Sequence, residues 1–214
     1  MFYLSVRMLK KQYIISGIGT DVGKTVASAI ISQALEATYW KPVQAGDLEW
    51  SDSMKVDNWT NEKVNVLKEQ FRLTAPMSPH AAANLDGVVI TEDSFEIPQI
   101  EGNLIIEGAG GLMVPVNNDG LLYIDLFQRW NFPVILISRH YLGSINHTLL
   151  SIAALKSRNI PIQGIVFVGE ENEATESIIL NTTGLHFIAR IPLAAEVNST
   201  FVRNQSEVFK EYFQ

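Results

Sequence analysis

Gly17-Ile18-Gly19-Thr20-Asp21-Val22-Gly23-Lys24-Thr25 carries the residue types and order that phosphate chemistry requires. Glycines let successive backbone N–H groups curve around phosphate oxygens, and a following helix adds its unpaired amides and positive dipole end. In such a loop Lys24 lies across the β- and γ-phosphates, and the Thr25 hydroxyl ligates Mg²⁺. The apolar run Tyr13-Ile14-Ile15 precedes it, and Val26-Ala27-Ser28-Ala29-Ile30-Ile31 follows with helical spacing. Strand, glycine turn and helix form the context that a phosphate loop needs. Five residues separate Gly17 from Gly23, one more than the usual pattern, so a plain strand–helix turn is the competing reading. Gly-Lys-Thr at the junction favours binding of a nucleoside triphosphate.

Other residues fit the same chemistry. Glu107 ends the apolar run Asn103-Leu104-Ile105-Ile106. An ionised carboxylate there is costly without a cation, and Mg²⁺ held by Thr25 is the obvious one. The alternative is a strand-end glutamate facing water. Gly108-Ala109-Gly110-Gly111 follows as a second loop whose amides would face phosphate or substrate. Lys41 comes after a short strand, where a second lysine near the γ-phosphate would stabilise charge or hold an anionic acceptor. A solvated surface lysine is the other reading. Asp52 is a second metal-side carboxylate or a helix cap, and Asp47 competes for the metal-side role. His80, His140, His147 and His186 show no metal-ligand spacing.

The elements that must position these groups alternate. Strands are expected at 12–16, 38–40, 103–107, 133–137, 162–168 and 186–191. Helices are expected at 24–37, 121–130, 142–158, 173–182 and 199–213, with one or two more within 51–70. Ser78 reads as the N-cap of a further helix and Pro79 as its first residue. Residues 41–46 read as a loop. This order predicts an α/β fold, a doubly wound and mainly parallel sheet flanked by helices. Ligands in such folds gather beyond the carboxyl ends of the strands, where loops 17–25, 41–47 and 107–111 meet.

A chain of 214 residues with 47% hydrophobic and 18% charged content fits one globular domain over residues 1–214. Residues 1–10 read as a frayed extension, with Met8 an alternative start. A net charge of −7 argues against a nucleic-acid or anionic-membrane partner. Zero cysteines exclude disulfides, thiol catalysis and thiolate metal sites. No stretch approaches the ~18 apolar residues of a membrane span, and a cytoplasmic protein is expected.

Taken together, the residues resemble the dethiobiotin synthetase family, a P-loop NTPase type. The resemblance rests on Gly17 to Thr25, Lys41-Pro42-Val43-Gln44, Ser51-Asp52, Ser78-Pro79-His80, Glu107 to Gly111 and Leu142-Gly143-Ser144-Ile145-Asn146-His147. It implies a ligase that converts 7,8-diaminononanoate, CO₂ and MgATP to dethiobiotin, ADP and phosphate through a carbamate and a carbamic-phosphoric anhydride. Lys24, Lys41 and Thr20 are then catalytic, and Thr25, Asp52 and Glu107 surround Mg²⁺. The implied ATP site adds Asp21, Val22, Gly23, Val26, Gly108, Ala109, Gly110, Val168, Gly169, Pro192 and Leu193. The implied substrate site comprises Lys41, Ala45, Pro79, Gly111, Leu142, Gly143, Ser144 and Asn146, at a homodimer interface.

Three positions depart from the family's habit. Ala45 stands where many relatives have Ser or Thr, and Asp21 replaces a frequent Glu. Val168 stands where an Asn often reads adenine, which predicts only a weak preference for ATP over CTP or GTP. One rival is an ATP-driven switch of the partition or positioning type on the same fold. Those usually carry a lysine early in the loop, and none stands between Gly17 and Gly23. The other rival, a synthetase domain of an amidotransferase, needs an ammonia source for which the chain has neither length nor cysteine, so that a separate subunit would have to supply it.

Overall fold

The computed structural model describes residues 10–213. The expected frayed extension therefore lies outside the described residues except for Lys10, which is exposed. In chain order the elements are β1 (Gln12–Gly17), α1 (Lys24–Leu35), β2 (Thr38–Trp40), β3 (Val43–Ala45), α2 (Asp52–Thr60), β4 (Phe71–Leu73), α3 (Pro79–Asp86) and β5 (Leu104–Gly111). They continue with α4 (Tyr123–Trp130), β6 (Val134–Arg139), α5 (Ser144–Ser157), β7 (Ile162–Val168), α6 (Glu173–Thr183), β8 (Phe187–Ile191) and α7 (Ser199–Phe213).

Six strands form one parallel sheet in the order β2-β5-β1-β6-β7-β8. The continuous apolar runs of the central strands follow from burial on both faces. Neighbouring residues on a strand point to opposite sides. Ile15 and Ile105 join Ile30 and Ile31 of α1 and Phe209 of α7 in one core. Ile14 and Ile106 join Tyr123, Phe127 and Trp130 of α4 in the other. β1 lies in the middle of the sheet, so the phosphate loop leaves from the centre of its carboxyl edge.

Several boundaries differ from expectation. α1 ends at Leu35 because Glu36 turns left-handed (φ 49°), its N–H returning to Gln33 and Ser32 carbonyls. α2 stops at Thr60, where Asn61 does the same at φ 51°. No second helix follows: Val66 bridges to Tyr39, and residues 71–73 become β4. The expected loop at 41–46 contains β3, which pairs in parallel with β4. Gly108 to Gly111 is not a loop either. β5 runs through it, with Gly17 opposite Gly111 after an irregularity at Ile15. Ser78 occupies the N-cap of α3, but its Oγ meets the His80 Nδ1 (3.0 Å) instead of a backbone amide. Among the described residues no helix is long and apolar enough to cross a membrane.

Candidate active site

The phosphate loop is shaped by its glycines. A Cβ on Gly17 would lie 2.5 Å from a Val22 methyl, and Gly23 sits at φ +94°, a region that disfavours side chains. The loop closes over its own lysine: Lys24 is buried, and its Nζ donates to the Gly19 carbonyl at 2.8 Å. One residue on, Thr25 Oγ1 donates to Glu107 Oε1 at 3.0 Å.

Glu107 is 0% exposed and answers its burial with three partners. Besides Thr25, the Tyr39 hydroxyl donates to Oε2 at 2.9 Å and Lys41 Nζ donates to Oε1 at 3.0 Å. Strand register produces this meeting. Tyr39 faces Ile105 and Trp40 faces Ile106, so Lys41 emerges beside Glu107. Lys41 Nζ also reaches Asp52 Oδ2 at 2.7 Å, and Lys55 holds Asp52 Oδ1 at 3.1 Å. A buried ion cluster persists only with such pairing.

The local fields have one direction each. Burial draws the Lys41 ammonium down, but Glu107 and Asp52 outweigh it and hold the ammonium well above its ordinary range. Burial pushes the Asp52 carboxyl up, yet Lys41 and then Lys55 bring it down to about 2. Burial draws Lys24 down to about 8, with Glu107 opposing and Lys41 adding to the fall. Burial, then Glu107, raises the Tyr39 phenol far above its usual value, so it remains a hydrogen-bond donor.

Lys24, Thr25, Lys41, Asp52, Lys55 and Glu107 line a cavity of about 750 Å³, with Tyr39 buried behind them. The expected residues on its wall are Thr20, Asp21, Gly23, Lys24, Thr25, Val26, Lys41, Ala45, Asp52, Pro79, Glu107, Ala109 and Gly110. Val22 is buried beneath Gly17, and Gly108 backs onto Phe127. Gly111 approaches the Gly17 and Gly19 backbone. Val168 packs its methyls against Gly23, and Gly169 donates to the Ile191 carbonyl at 3.0 Å. Pro192 and Leu193 follow β8 on the exposed surface. Leu142, Gly143 and Asn146 are exposed at the start of α5, where Ser144 is buried, and none of these four lines the cavity.

Between the two candidate aspartates, Asp52 is the one joined to Lys41, whereas Asp47 is exposed on the cavity wall. Asp52 is not the cap of α2. Ser51 holds that position, its Oγ accepting from the Met54 N–H at 3.4 Å. Tyr39, Lys55 and Gln44 belong to this cluster without having been singled out as site residues. Alternation along β2 would have pointed to Tyr39 once its register on β5 was known. Among the described residues there is no group of three or more His, Cys, Asp or Glu able to hold a metal. The donor set is instead two carboxylates and one hydroxyl, all oxygen. That set fits a hard cation such as Mg²⁺, which takes few protein ligands and completes its shell with phosphates and water.

The chain matches the family described as an AAA domain over residues 11–200. A curated relative, the ATP-dependent dethiobiotin synthetase BioD of Christiangramia forsetii, is 49% identical over 204 residues, which cover 95% of this chain and 98% of the relative. The protein of that name from Rhodopseudomonas palustris (strain BisB18) is 50% identical, covering 84% of this chain and 86% of its own. Among solved structures, a putative plasmid partition protein from Borrelia burgdorferi B31 bound to AMPPNP aligns with a TM-score of 0.57 at 13% identity, covering 95% of this chain and 98% of its own. The Pyrococcus furiosus cell division ATPase MinD aligns with a TM-score of 0.54 at 13% identity, covering 95% and 99%. At that identity the likeness concerns the fold alone.

Proposed function

The chain belongs to the ATP-dependent dethiobiotin synthetase family, and from that premise we propose that it closes the cyclic urea of dethiobiotin from 7,8-diaminononanoate, CO₂ and ATP. The observation that carries this reading is the meeting of Lys24, Thr25, Lys41, Asp52 and Glu107 in one cavity at the carboxyl edge of β1, β2 and β5.

In the proposed reaction one amine adds to CO₂ and releases a proton, forming a carbamate. A carbamate oxygen takes the γ-phosphoryl group of ATP, and ADP leaves. The second amine then attacks the carbamoyl carbon, the ring closes, and phosphate departs with a proton. The enzyme's share is positioning and charge stabilisation. Lys24 and the loop amides, with Asp21, Val22, Gly23 and Val26 beside them, hold the phosphates. Lys41 brings its ammonium to the carbamate and to the phosphoryl group in flight, and Thr20 stands beside the same atoms. Thr25, Asp52 and Glu107 would hold Mg²⁺, which supplies charge neutralisation of the phosphates when bound.

The reading includes one domain and a homodimer. At the start of α5, Tyr141, Leu142 and Ile145 are exposed apolar groups. Such a patch supports a second copy there, with α5 amides offered to the substrate carboxylate. Sedimentation of purified protein as a monomer would remove that part. The switch alternative has only fold likeness behind it.

The test is to incubate the protein with diaminononanoate, labelled bicarbonate and MgATP, and to seek labelled dethiobiotin matched by ADP. Product that requires both amine and bicarbonate is the expected result. ATP hydrolysis without product would overturn the ligase reading in favour of a switch.

A further inference from the structure

Gln44 is a buried polar side chain, 4% exposed, that the chemistry above does not use. Its amide makes two contacts. Nε2 donates to the Gly46 carbonyl at 2.9 Å, and Oε1 accepts from the Asp52 N–H at 3.1 Å. Asp52 opens α2, and amides in the first turn of a helix have no partner within the helix. Gln44 supplies that partner. The residue that it grips is also the one whose carboxylate meets Lys41 at 2.7 Å.

The small β3–β4 sheet provides a second grip on the same helix start. Gln44 stands opposite Arg72 in its register. Arg72 holds Glu69 Oε2 at 3.0 Å, and Glu69 Oε1 accepts from the Ser51 hydroxyl at 3.1 Å. Two successive residues, Ser51 and Asp52, are thus tied to the same two-stranded unit by different side chains. At the base of the tie Gly46 lies at φ +72° and packs against Pro76 so closely that a Cβ there would be 2.5 Å from it.

We infer that Gln44 is a positioning residue: through the Asp52 backbone it fixes the carboxylate that, on the reading above, faces both Lys41 and the divalent cation. Partners one shell removed from a metal commonly set its affinity by ten- to a hundredfold. The inference rests on the assignment of Asp52 to the cation site.

Its test uses Mn²⁺ titrated into the full chain saturated with ADP, with free Mn²⁺ followed by electron paramagnetic resonance. Gln44→Met keeps the volume and removes both hydrogen bonds, and it should weaken Mn²⁺ binding about tenfold or more. Asp52→Asn should weaken it further. Adding Gln44→Met to Asp52→Asn should then cost less than about twofold, because the two act through one group. Gln44→Glu keeps the acceptor for the Asp52 amide and should bind within about threefold of wild type, or tighter. That variant also serves should the Met protein not fold. Unchanged affinity in Gln44→Met, or an equal further loss in the Asp52→Asn background, overturns the inference. So does a Gln44→Glu protein as weak as Gln44→Met. A wild-type protein that takes up no Mn²⁺ overturns the cation assignment with it, whereas formation of dethiobiotin judges the ligase reading separately.

Discussion

Replacing Lys41 by Met separates the structural from the catalytic share of the central cluster. The ammonium serves Glu107 (0% side-chain exposure) and Asp52 (20%) at once. Its loss leaves one fully buried carboxylate with only neutral partners, and Asp52 with Lys55 alone. Removing one partner of a buried ion pair costs about 3–5 kcal/mol. For a chain of this size, each kcal/mol moves Tm by about 2–4 °C, so the melt should fall by roughly 6–20 °C. The double variant Lys41→Met/Glu107→Gln neutralises the orphaned charge and should recover about 2 kcal/mol of that loss. Activity should not follow. On the proposed mechanism both variants should lose about 10²–10³ in kcat, since the ammonium assigned to the transferring phosphoryl group is absent from each. Calorimetry and a coupled ADP assay on the same preparations give both numbers. A single variant melting within about 2 °C of wild type, or a double variant less stable than the single, would refute the argument.

Other outcomes follow from neighbouring contacts. Tyr39→Phe leaves Glu107 Oε2 without its donor, and urea unfolding should lose about 1–3 kcal/mol with an unchanged m value. Away from the cavity, Arg190 Nη2 and His140 Nε2 each hold Glu176 at 2.8 Å. Burial pushes that carboxyl up, but Arg190 and His140 carry it below its ordinary value. A depressed folded pKa contributes stability above the unfolded carboxylate pKa of about 4.3 and loses it as pH falls through the folded value. Melting curves of wild type and Glu176→Gln should therefore differ near neutral pH and converge as the pH falls through the folded value; a gap independent of pH would count against the pairing. Val168 is apolar and committed to packing on Gly23, so kcat/KM for ATP should stand within about tenfold of CTP and GTP. Val168→Asn should widen the ratio, and a strong ATP preference in wild type would sink this reading.

The phosphate loop was legible because its chemistry is local: glycines, lysine and threonine act within nine consecutive residues. The order of strands was legible for a similar reason, since each central strand is a continuous apolar run. What sequence could not supply was register across long separations. Whether Lys41 faced water or the site depended on Trp40 standing opposite Ile106. Tyr39 looked like any strand aromatic until its hydroxyl met Glu107, 68 residues away. β3 read as a loop because three residues after a proline carry little periodic signal, and its partner β4 lies beyond a polar stretch. The glycines after Glu107 read as a turn because glycine disfavours strands, yet pairing with β1 extends β5 through them.

The place of β1 in the middle of the sheet bears on how the protein is made. Its hydrogen-bonding neighbours are β5, which begins at Leu104, and β6, which ends at Arg139. At ribosomal rates of about 5–20 residues per second, β1 leaves the tunnel on the order of ten seconds before both neighbours exist. During that interval Tyr13, Ile14 and Ile15 form an apolar strand with two open edges, a substrate for chaperones and for mispairing. The phosphate loop is therefore synthesised before the two strands that flank its own strand in the sheet. A translation arrest before β6 should yield a nascent chain that captures no ATP and is readily digested, whatever the integrity of its first hundred residues.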